Sequence, residues 1–477
     1  MLDKKLYDKQ LQNARKAQID QVAGYLERYL KLNAEVAQHP VNNVTTEEDL
    51  QYLENLTIPT YGRDVDKVAD ELISYVYEKT PLIQHPKFYS YVSSAVSPYS
   101  LAGTILTDIY NPNGCGFSMA PGACIIEEKL IKWMAGRAGY DTDKCGGLFM
   151  SGGSLSNMTA LIAARDSKLS DVPYTKGVAY ISDQTHISVE KGLKMIGIRK
   201  EQIRTLPTDD DFKMRMDLLE ETIKADFAKG LRPFVVIGTM GTTNTGSIDP
   251  LSEIADICQK YDLWMHVDGA YGGSILISDI YKNLAKGIER SDSFSWDTHK
   301  WAMQVYGCSS VVVKDKNDLL NSFSEYPEYL EDLKAEKYTD PWNLGPELSR
   351  PHRSLRLWFT LQAMGTDLLA DVIDFSFYNS KVAVNELKKD PCWEIVSGPS
   401  CGTINFRYKV PGSTEEQTNA LSSAISERIL SENFAHIVTT TIKGKHTLRM
   451  CCINANTDTD DIIETVSKLT EIAHELA

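Results

Sequence analysis

The sequence predicts an α/β protein: a mostly parallel sheet with helices on both faces, followed by a smaller C-terminal α+β domain. Three observations carry this reading. Strand, helix and strand patterns alternate four times between residues 147 and 313, the signature of such a sheet. The apolar run Trp264-Met265-His266-Val267 ends in Asp268 and then Gly-Ala-Tyr-Gly-Gly. Small residues after a strand end mark the edge where α/β sheets place ligands. Two strand-like runs flank Asp297-Thr298-His299-Lys300, so Lys300 sits on a turn between two elements of the sheet.

Composition bounds the function. The chain has 477 residues, 42% hydrophobic and 24% charged, an ordinary globular balance with room for two or three domains. Its 50 basic and 65 acidic residues leave a net charge of −15, which argues against a general binder of nucleic acid or anionic membrane. No apolar run approaches the length of a membrane span. The N-terminal MLDKKLYDKQLQNARKAQIDQ lacks the apolar core of a signal peptide. Nine cysteines without a CxxC pair or metal-like spacing predict reduced thiols, a cytoplasmic setting and no metal.

Taken in order, residues 1–57 alternate charged and apolar positions at helical spacing, as at Tyr25, Leu26, Tyr29 and Leu30. They predict two or three amphipathic helices. His85-Pro86-Lys87-Phe88-Tyr89-Ser90-Tyr91 is aromatic, proline-bounded and too irregular for a helix; its rings suit core or an apolar pocket. Tyr110-Asn111-Pro112-Asn113-Gly114-Cys115-Gly116-Phe117 reads as a loop, and Ala120-Pro121 opens a helix over residues 125–134. Ser151-Gly152-Gly153-Ser154 follows a strand and enters a helix over residues 158–165. Its glycines and helix N-terminus favour an anion, although the dinucleotide spacing G-x-G-x-x-G is absent. Residues 178–183 form a strand ending at Gln184-Thr185-His186, with a helix behind. Residues 234–237 form another, followed by the threonine-rich Gly238–Gly246 stretch. Residues 321–338 are polar and charge-rich, an exposed loop. A long amphipathic helix starts near residue 355. From residue 367 on, helices alternate with strands such as residues 404–408 and 447–453.

An interior lysine costs several kcal/mol unless it is paired or neutral. A desolvated amine that attacks a carbonyl to form a Schiff base uses that state. Asp268 lies 32 residues upstream of Lys300, room for a helix and one more strand. Pyridoxal phosphate needs such a pair, an acid for its ring nitrogen and a lysine for its aldehyde. Together His266-Val267-Asp268-Gly269-Ala270-Tyr271-Gly272-Gly273 and Asp297-Thr298-His299-Lys300-Trp301 resemble the pyridoxal-phosphate-dependent group II amino-acid decarboxylases. The likeness runs from about residue 57 to 453 and, within the family, towards bacterial tryptophan and aromatic-L-amino-acid decarboxylases.

The resemblance implies a type I, aspartate-aminotransferase-like fold with a seven-stranded central sheet. It implies an N-terminal helical segment (residues 1–85) packed on a partner subunit, a large cofactor domain (86–365) and a small domain (366–477). The protein would be a homodimer with shared active sites. Lys300 would carry the cofactor, Asp268 would pair with its ring nitrogen, and Ala270 and His186 would lie on the two faces of the ring. Gly153, Ser154, Thr243, His299 and Asp297 complete the implied cofactor set. Tyr329 in the polar loop would be the proton donor. Asp249 and Arg350 match a pair that ties the cofactor domain to the segment after that loop. Tyr91, Asn113, Met119 and Trp342 would meet the substrate; they are mostly large and apolar, and no arginine stands out to pair a second carboxylate. Tyr91 replaces a phenylalanine of the bacterial tryptophan enzyme and Asn113 a histidine, which implies a shifted preference among phenylalanine, tyrosine, dihydroxyphenylalanine and tryptophan. Other readings are an aromatic aldehyde synthase, against which Tyr329 argues, and a decarboxylase of a non-aromatic amino acid. A non-catalytic regulator would carry a basic arm that is absent, and a dehydrogenase would need the missing glycine spacing.

Overall fold

The computed structural model describes residues 23–28, 30–31, 33–325 and 338–477. Its larger sheet contains β1 (Gly146–Met150), β2 (Gly177–Ser182), β3 (Ile203–Leu206), β4 (Arg232–Thr239), β5 (Trp264–Asp268), β6 (Ser293–Asp297) and β7 (Ser309–Val313). The order is β1-β7-β6-β5-β4-β2-β3. The pairs β2–β3, β2–β4, β4–β5 and β5–β6 are parallel, and β7 runs antiparallel to both neighbours. The predicted mostly parallel seven-stranded sheet is therefore present. Every residue of β1, β2, β5, β6 and β7 is buried, because helices cover both faces and leave no solvent side.

The helices, in chain order, are α1 (Glu47–Glu54), α2 (Val65–Leu72), α3 (Pro98–Tyr110), α4 (Pro121–Arg137), α5 (Gly153–Lys168) and α6 (Ile187–Met195). Then follow α7 (Met216–Ala228), α8 (Leu251–Tyr261), α9 (Lys316–Phe323), α10 (Ser354–Leu387), α11 (Glu415–Ser431) and α12 (Thr459–Leu476). Two apolar layers sandwich the sheet. Ala160 and Leu161 of α5, Val189 of α6 and Leu319 of α9 build one. Leu130 of α4, Leu219 of α7, Ile254 of α8 and Leu357 of α10 build the other.

Four strand–helix–strand units run from β1 to β5, as the alternation predicts. The α-helix for which there is room between Asp268 and Lys300 is absent: Gly272–Ile277, Lys282–Ala285 and Ile288–Arg290 are short 3₁₀ helices. Glycine pairs and small residues after Asp268 favour turns over a continued helix. The helix expected to start near residue 355 is the first arm of α10, which bends at Gly365, where φ is 77°. Only glycine takes that backbone readily.

Beyond the bend, β8 (Trp393–Ser400), β9 (Thr403–Tyr408), β10 (Val438–Ile442) and β11 (Lys445–Cys451) form an antiparallel sheet of order β10-β11-β9-β8. Helices α11 and α12 close its core around Ile404, Phe406, Ile425 and Leu469. The two sheets are stitched by polar contacts. The Tyr271 hydroxyl donates to the Cys401 carbonyl, and Asn405 Nδ2 donates to the Asn244 carbonyl at 2.9 Å. At the other end of the chain α1 is closed by a Thr46–Asp49 capping box, while α2 buries none of its residues.

Candidate active site

The carboxyl ends of β2, β4, β5 and β6 and the start of α5 meet at one edge of the large sheet. They enclose a cavity of about 230 Å³. Lys300, Asp268, Ala270, His186, Gly153, Ser154, Thr243, His299 and Asp297 all line it. Every residue of the implied cofactor set that the sequence singled out is thus brought together.

Local structure explains each placement. The chain leaves β6 at Asp297 and turns: Lys300 N–H returns to the Asp297 carbonyl at 3.1 Å, and His299 N–H reaches the Cys308 carbonyl at 3.1 Å. Lys300 Nζ then lies 3.1 Å from Asp297 Oδ2. Ser309 Oγ donates to the other Asp297 oxygen. The His299 ring donates from Nδ1 to the Cys308 carbonyl at 2.9 Å, and burial pushes its pKa down. His186 is the N-cap of α6, and its Nδ1 accepts the Ser188 N–H at 3.3 Å. A capping histidine and a site histidine are the same residue here: the cap fixes the ring, and its other edge faces the cavity.

Asp268 ends β5 with both oxygens occupied. Oδ1 accepts the Ala270 N–H at 3.1 Å and the Ser295 hydroxyl at 3.2 Å, and Oδ2 accepts Asn157 Nδ2 at 3.0 Å. Gly153 opens α5 where there is no room for a side chain. A Cβ there would stand 2.8 Å from Asp297 Oδ2 and 3.1 Å from the Ala270 Cβ. The Thr239 hydroxyl is buried, lacks a hydrogen-bond partner and lines the same cavity, so a ligand atom is the partner that would satisfy it.

These features fit pyridoxal phosphate. A helix N-terminus and glycine-cleared backbone suit its phosphate. A buried carboxylate suits its ring nitrogen, and the Lys300 amine suits its aldehyde.

The substrate candidates are placed differently. None of Tyr91, Asn113, Met119 or Trp342 lines this cavity. Tyr91 has a φ of 60° and is 56% exposed, with its ring 6.3 Å from Phe88 and 6.2 Å from His436. Met119 is 50% exposed and accepts from the Cys115 thiol at 3.3 Å. Asn113 closes a turn by accepting the Cys115 N–H at 3.1 Å. Trp342 is buried against Cys115. Tyr329 lies outside the described residues.

The expected Asp249–Arg350 pair is corrected. Arg350 grips Glu127 instead, Nη2 to Oε1 at 2.6 Å and Nη1 to Oε2 at 3.1 Å. Burial pushes the Glu127 carboxyl up, but Arg350 and His352 more than offset this and leave it at about 2. Asp249 spends its oxygens on the Met214 and Thr239 N–H groups, both at 2.7 Å. Burial without a cation pushes it up to about 6. The pairing cannot be read from the sequence, because Glu127 is one of two adjacent glutamates on α4, 223 residues from Arg350.

Three further residues escaped the sequence reading. Asn157 and His266 stand in motifs already singled out, four residues after Gly153 and two before Asp268, yet only the fold joins them. Arg449, on β11 of the small sheet, sends Nη1 to the Thr243 carbonyl at 2.9 Å, and its buried Nε has no hydrogen-bond partner. It sits 206 residues from Thr243 in the chain, so no local pattern could have revealed it.

The comparisons with known proteins agree with this geometry. Residues 48–409 match the pyridoxal-dependent decarboxylase conserved domain. The aromatic-L-amino-acid decarboxylase of Bacillus atrophaeus is 32% identical over 442 residues, 92% of each chain. The acidic amino acid decarboxylase of Mus musculus is 31% identical, covering 81% of this chain and 72% of that one. The crystal structure of Oryza sativa TDC with PLP and tryptamine superposes with a TM-score of 0.90 at 26% identity, over 96% of this chain and 98% of the other.

Proposed function

The chain belongs to the pyridoxal-dependent decarboxylase family and uses pyridoxal phosphate, and from that premise we propose that its substrates are aromatic L-amino acids, which it converts to arylalkylamines and CO₂. The observation that carries the aromatic reading is the side-chain character of the loops proposed as the rim of the cofactor cavity. Tyr91, Phe88 and His436 form a ring cluster on one of them, and Met119 on another presents a polarisable side chain of the kind that packs on aromatic rings. Two relatives at 32% identity, the Bacillus atrophaeus enzyme and tyrosine decarboxylase 2 of Arabidopsis thaliana, are both named for aromatic substrates.

Bound pyridoxal phosphate supplies an electron sink for the bond broken at the substrate α-carbon. The chain's own residues then have distinct tasks. Lys300 would hold the cofactor through its side-chain amine. Asp268 would keep the ring nitrogen protonated. His186 and Ala270 would flank the ring, and Ser154, Thr243 and His299, with the Gly153 backbone, would hold the phosphate. Asp297, paired with Lys300 before loading, holds the amine in place. Tyr329 delivers a proton to the α-carbon after CO₂ leaves.

A second reading, an acidic substrate, is favoured by the Mus musculus relative. Arg449 does not itself discriminate, because every amino acid offers an α-carboxylate to a guanidinium at this edge. Incubating purified protein and pyridoxal phosphate with single amino acids and identifying the amines decides between the readings. Tryptamine, phenethylamine or tyramine as main product supports the first. A preference for aspartate, glutamate or cysteine sulfinate overturns it.

The proposed assembly is a homodimer with residues 1–85 packed on a second copy. Support comes from the unburied helix α2 and from Ile58, Tyr61, Ile109 and Tyr110, which are 99%, 86%, 70% and 81% exposed, more apolar surface than a lone chain keeps in water. Sedimentation of an active, cofactor-loaded monomer would contradict it. Nine unbridged cysteines support a cytoplasmic setting.

A further inference from the structure

Behind Asp268 runs a line of four side chains buried to 2% exposure or less: Asn157, His266, Ser293 and Trp264. Asn157 Nδ2 lies 3.0 Å from Asp268 Oδ2, and Asn157 Oδ1 lies 3.0 Å from His266 Nε2. His266 Nδ1 lies 2.8 Å from Ser293 Oγ, which receives Trp264 Nε1–H at 2.9 Å.

The direction of every proton in this line is set by its two ends together with the neutral state of buried His266 between them. An indole N–H can only donate, and a carboxylate can only accept. Ser293 therefore accepts from Trp264 and turns its own hydrogen to His266 Nδ1. His266 must then carry its hydrogen on Nε2 and donate it to Asn157 Oδ1. That orients the Asn157 amide with its N–H₂ towards Asp268. Reversing any member would set two donors or two acceptors face to face without water to relieve them.

Resting on the reading of Asp268 as the partner of the cofactor's ring nitrogen, we propose that Asn157, His266 and Ser293 are positioning residues that lock the Asp268 carboxylate as a fixed acceptor for that nitrogen. Burial supports the required state of His266, pushing its pKa down to about 4. The neutral ring leaves Nδ1 free to accept the Ser293 hydroxyl, so that Trp264, Ser293, His266 and Asn157 all donate in one direction towards Asp268. Helix α5, which begins at the phosphate end of the cavity, thus also reaches the opposite end through Asn157, one turn further on. Both ends of the cofactor are referenced to one rigid element.

The test uses the full-length protein, stripped of cofactor and reloaded with ring-¹⁵N pyridoxal phosphate. Asn157→Asp replaces the donor facing Asp268 by a carboxyl group of the same shape. Ser293→Ala is the mild variant that leaves both neighbours in place. His266→Leu and His266→Gln complete the set, since glutamine keeps an N–H able to donate to Asn157. Circular dichroism confirms folding, and two quantities are read: the dissociation constant for pyridoxal phosphate and the ¹⁵N signal of its ring nitrogen at saturation. Asn157→Asp and His266→Leu are expected to weaken binding about 10–100-fold and to move the ring-nitrogen signal towards the unprotonated position. Ser293→Ala shifts both less, and His266→Gln recovers part of the loss relative to His266→Leu. Unchanged affinity and signal in Asn157→Asp and Ser293→Ala overturn the proposal. So does weakened binding with an unmoved signal, which is what a merely structural role would give. Wild-type protein that fails to bind pyridoxal phosphate, or binds it without borohydride trapping at Lys300, sinks the underlying reading instead.

Discussion

The floor of the cavity and the loops proposed as its rim are built on different terms. On the floor, Asp268 and Asp297 are buried, and the Asp268 oxygens take three donors from within the chain. On the rim, Tyr91 and Met119 are 56% and 50% exposed, and Tyr91 holds a left-handed backbone that a bulky residue adopts only under constraint. The rim loop is tied to the segment that follows the polar stretch: Trp342 N–H donates to the Cys115 carbonyl at 3.0 Å, and Gly114 N–H to the Arg350 carbonyl at 2.7 Å. Phe117 stacks on Tyr338 with centroids 4.0 Å apart. The difference teaches that the residues proposed for the cofactor converge within one chain. Those proposed for the substrate stand apart from that cavity, and two of them are largely exposed.

Four experiments break or sharpen this contrast. The largest effect belongs to the floor: Lys300→Ala should lose turnover by about 10⁴-fold or more, as when the residue that forms the covalent link is removed. Borohydride reduction of the wild type should place the pyridoxyl label on Lys300 by peptide mapping, and a label elsewhere would end the assignment. Next comes Tyr329→Phe, at which amine formation should fall by about 10²–10⁴-fold. CO₂ release should persist, with aldehyde, peroxide and ammonia rising as dioxygen takes the electrons. Amine produced at the wild-type rate would remove Tyr329 from the proton-donor role and move it to Tyr326 or Tyr338.

Third, Glu127 and Arg350 anchor the rim, since Arg350 Nη1 also reaches the Gly114 carbonyl at 3.3 Å. Glu127→Gln should cost roughly 3–5 kcal/mol of stability at pH 7 while leaving pyridoxal phosphate affinity nearly intact. The carboxyl sits at about 2, below its ordinary 4.5. Its contribution is therefore complete above pH 4.5 and fades as pH falls towards 2. Denaturation followed against pH should show the two proteins converging over that window. Equal stability at pH 7 would refute the anchor, and a large loss of cofactor affinity would merge rim with floor. The smallest effect is expected from Tyr91→Phe, a change of one hydroxyl. It should alter the ratio of kcat/KM for tyrosine and phenylalanine by no more than about 100-fold, with the cofactor constant unmoved. No change in that ratio would exclude Tyr91 from substrate selection.

The sequence by itself determined the parts whose signals are local. Period-two and period-3.6 patterns located the alternating strands and helices, strand ends with small residues located Asp268 and Gly153, and a turn between two strand-like runs located Lys300. Each reports the conformation of a few consecutive residues, which steric and hydrogen-bond rules dictate without reference to the rest of the chain. Tertiary structure alone decided what meets across the sheet. It chose Glu127 over Asp249 for Arg350. It brought Arg449 to Thr243 from the far sheet. It also aligned Trp264, Ser293, His266 and Asn157 behind Asp268. The physical reason is that a buried polar group must find a partner wherever the packed elements offer one. That choice depends on strand order and register, which no stretch of sequence carries on its own.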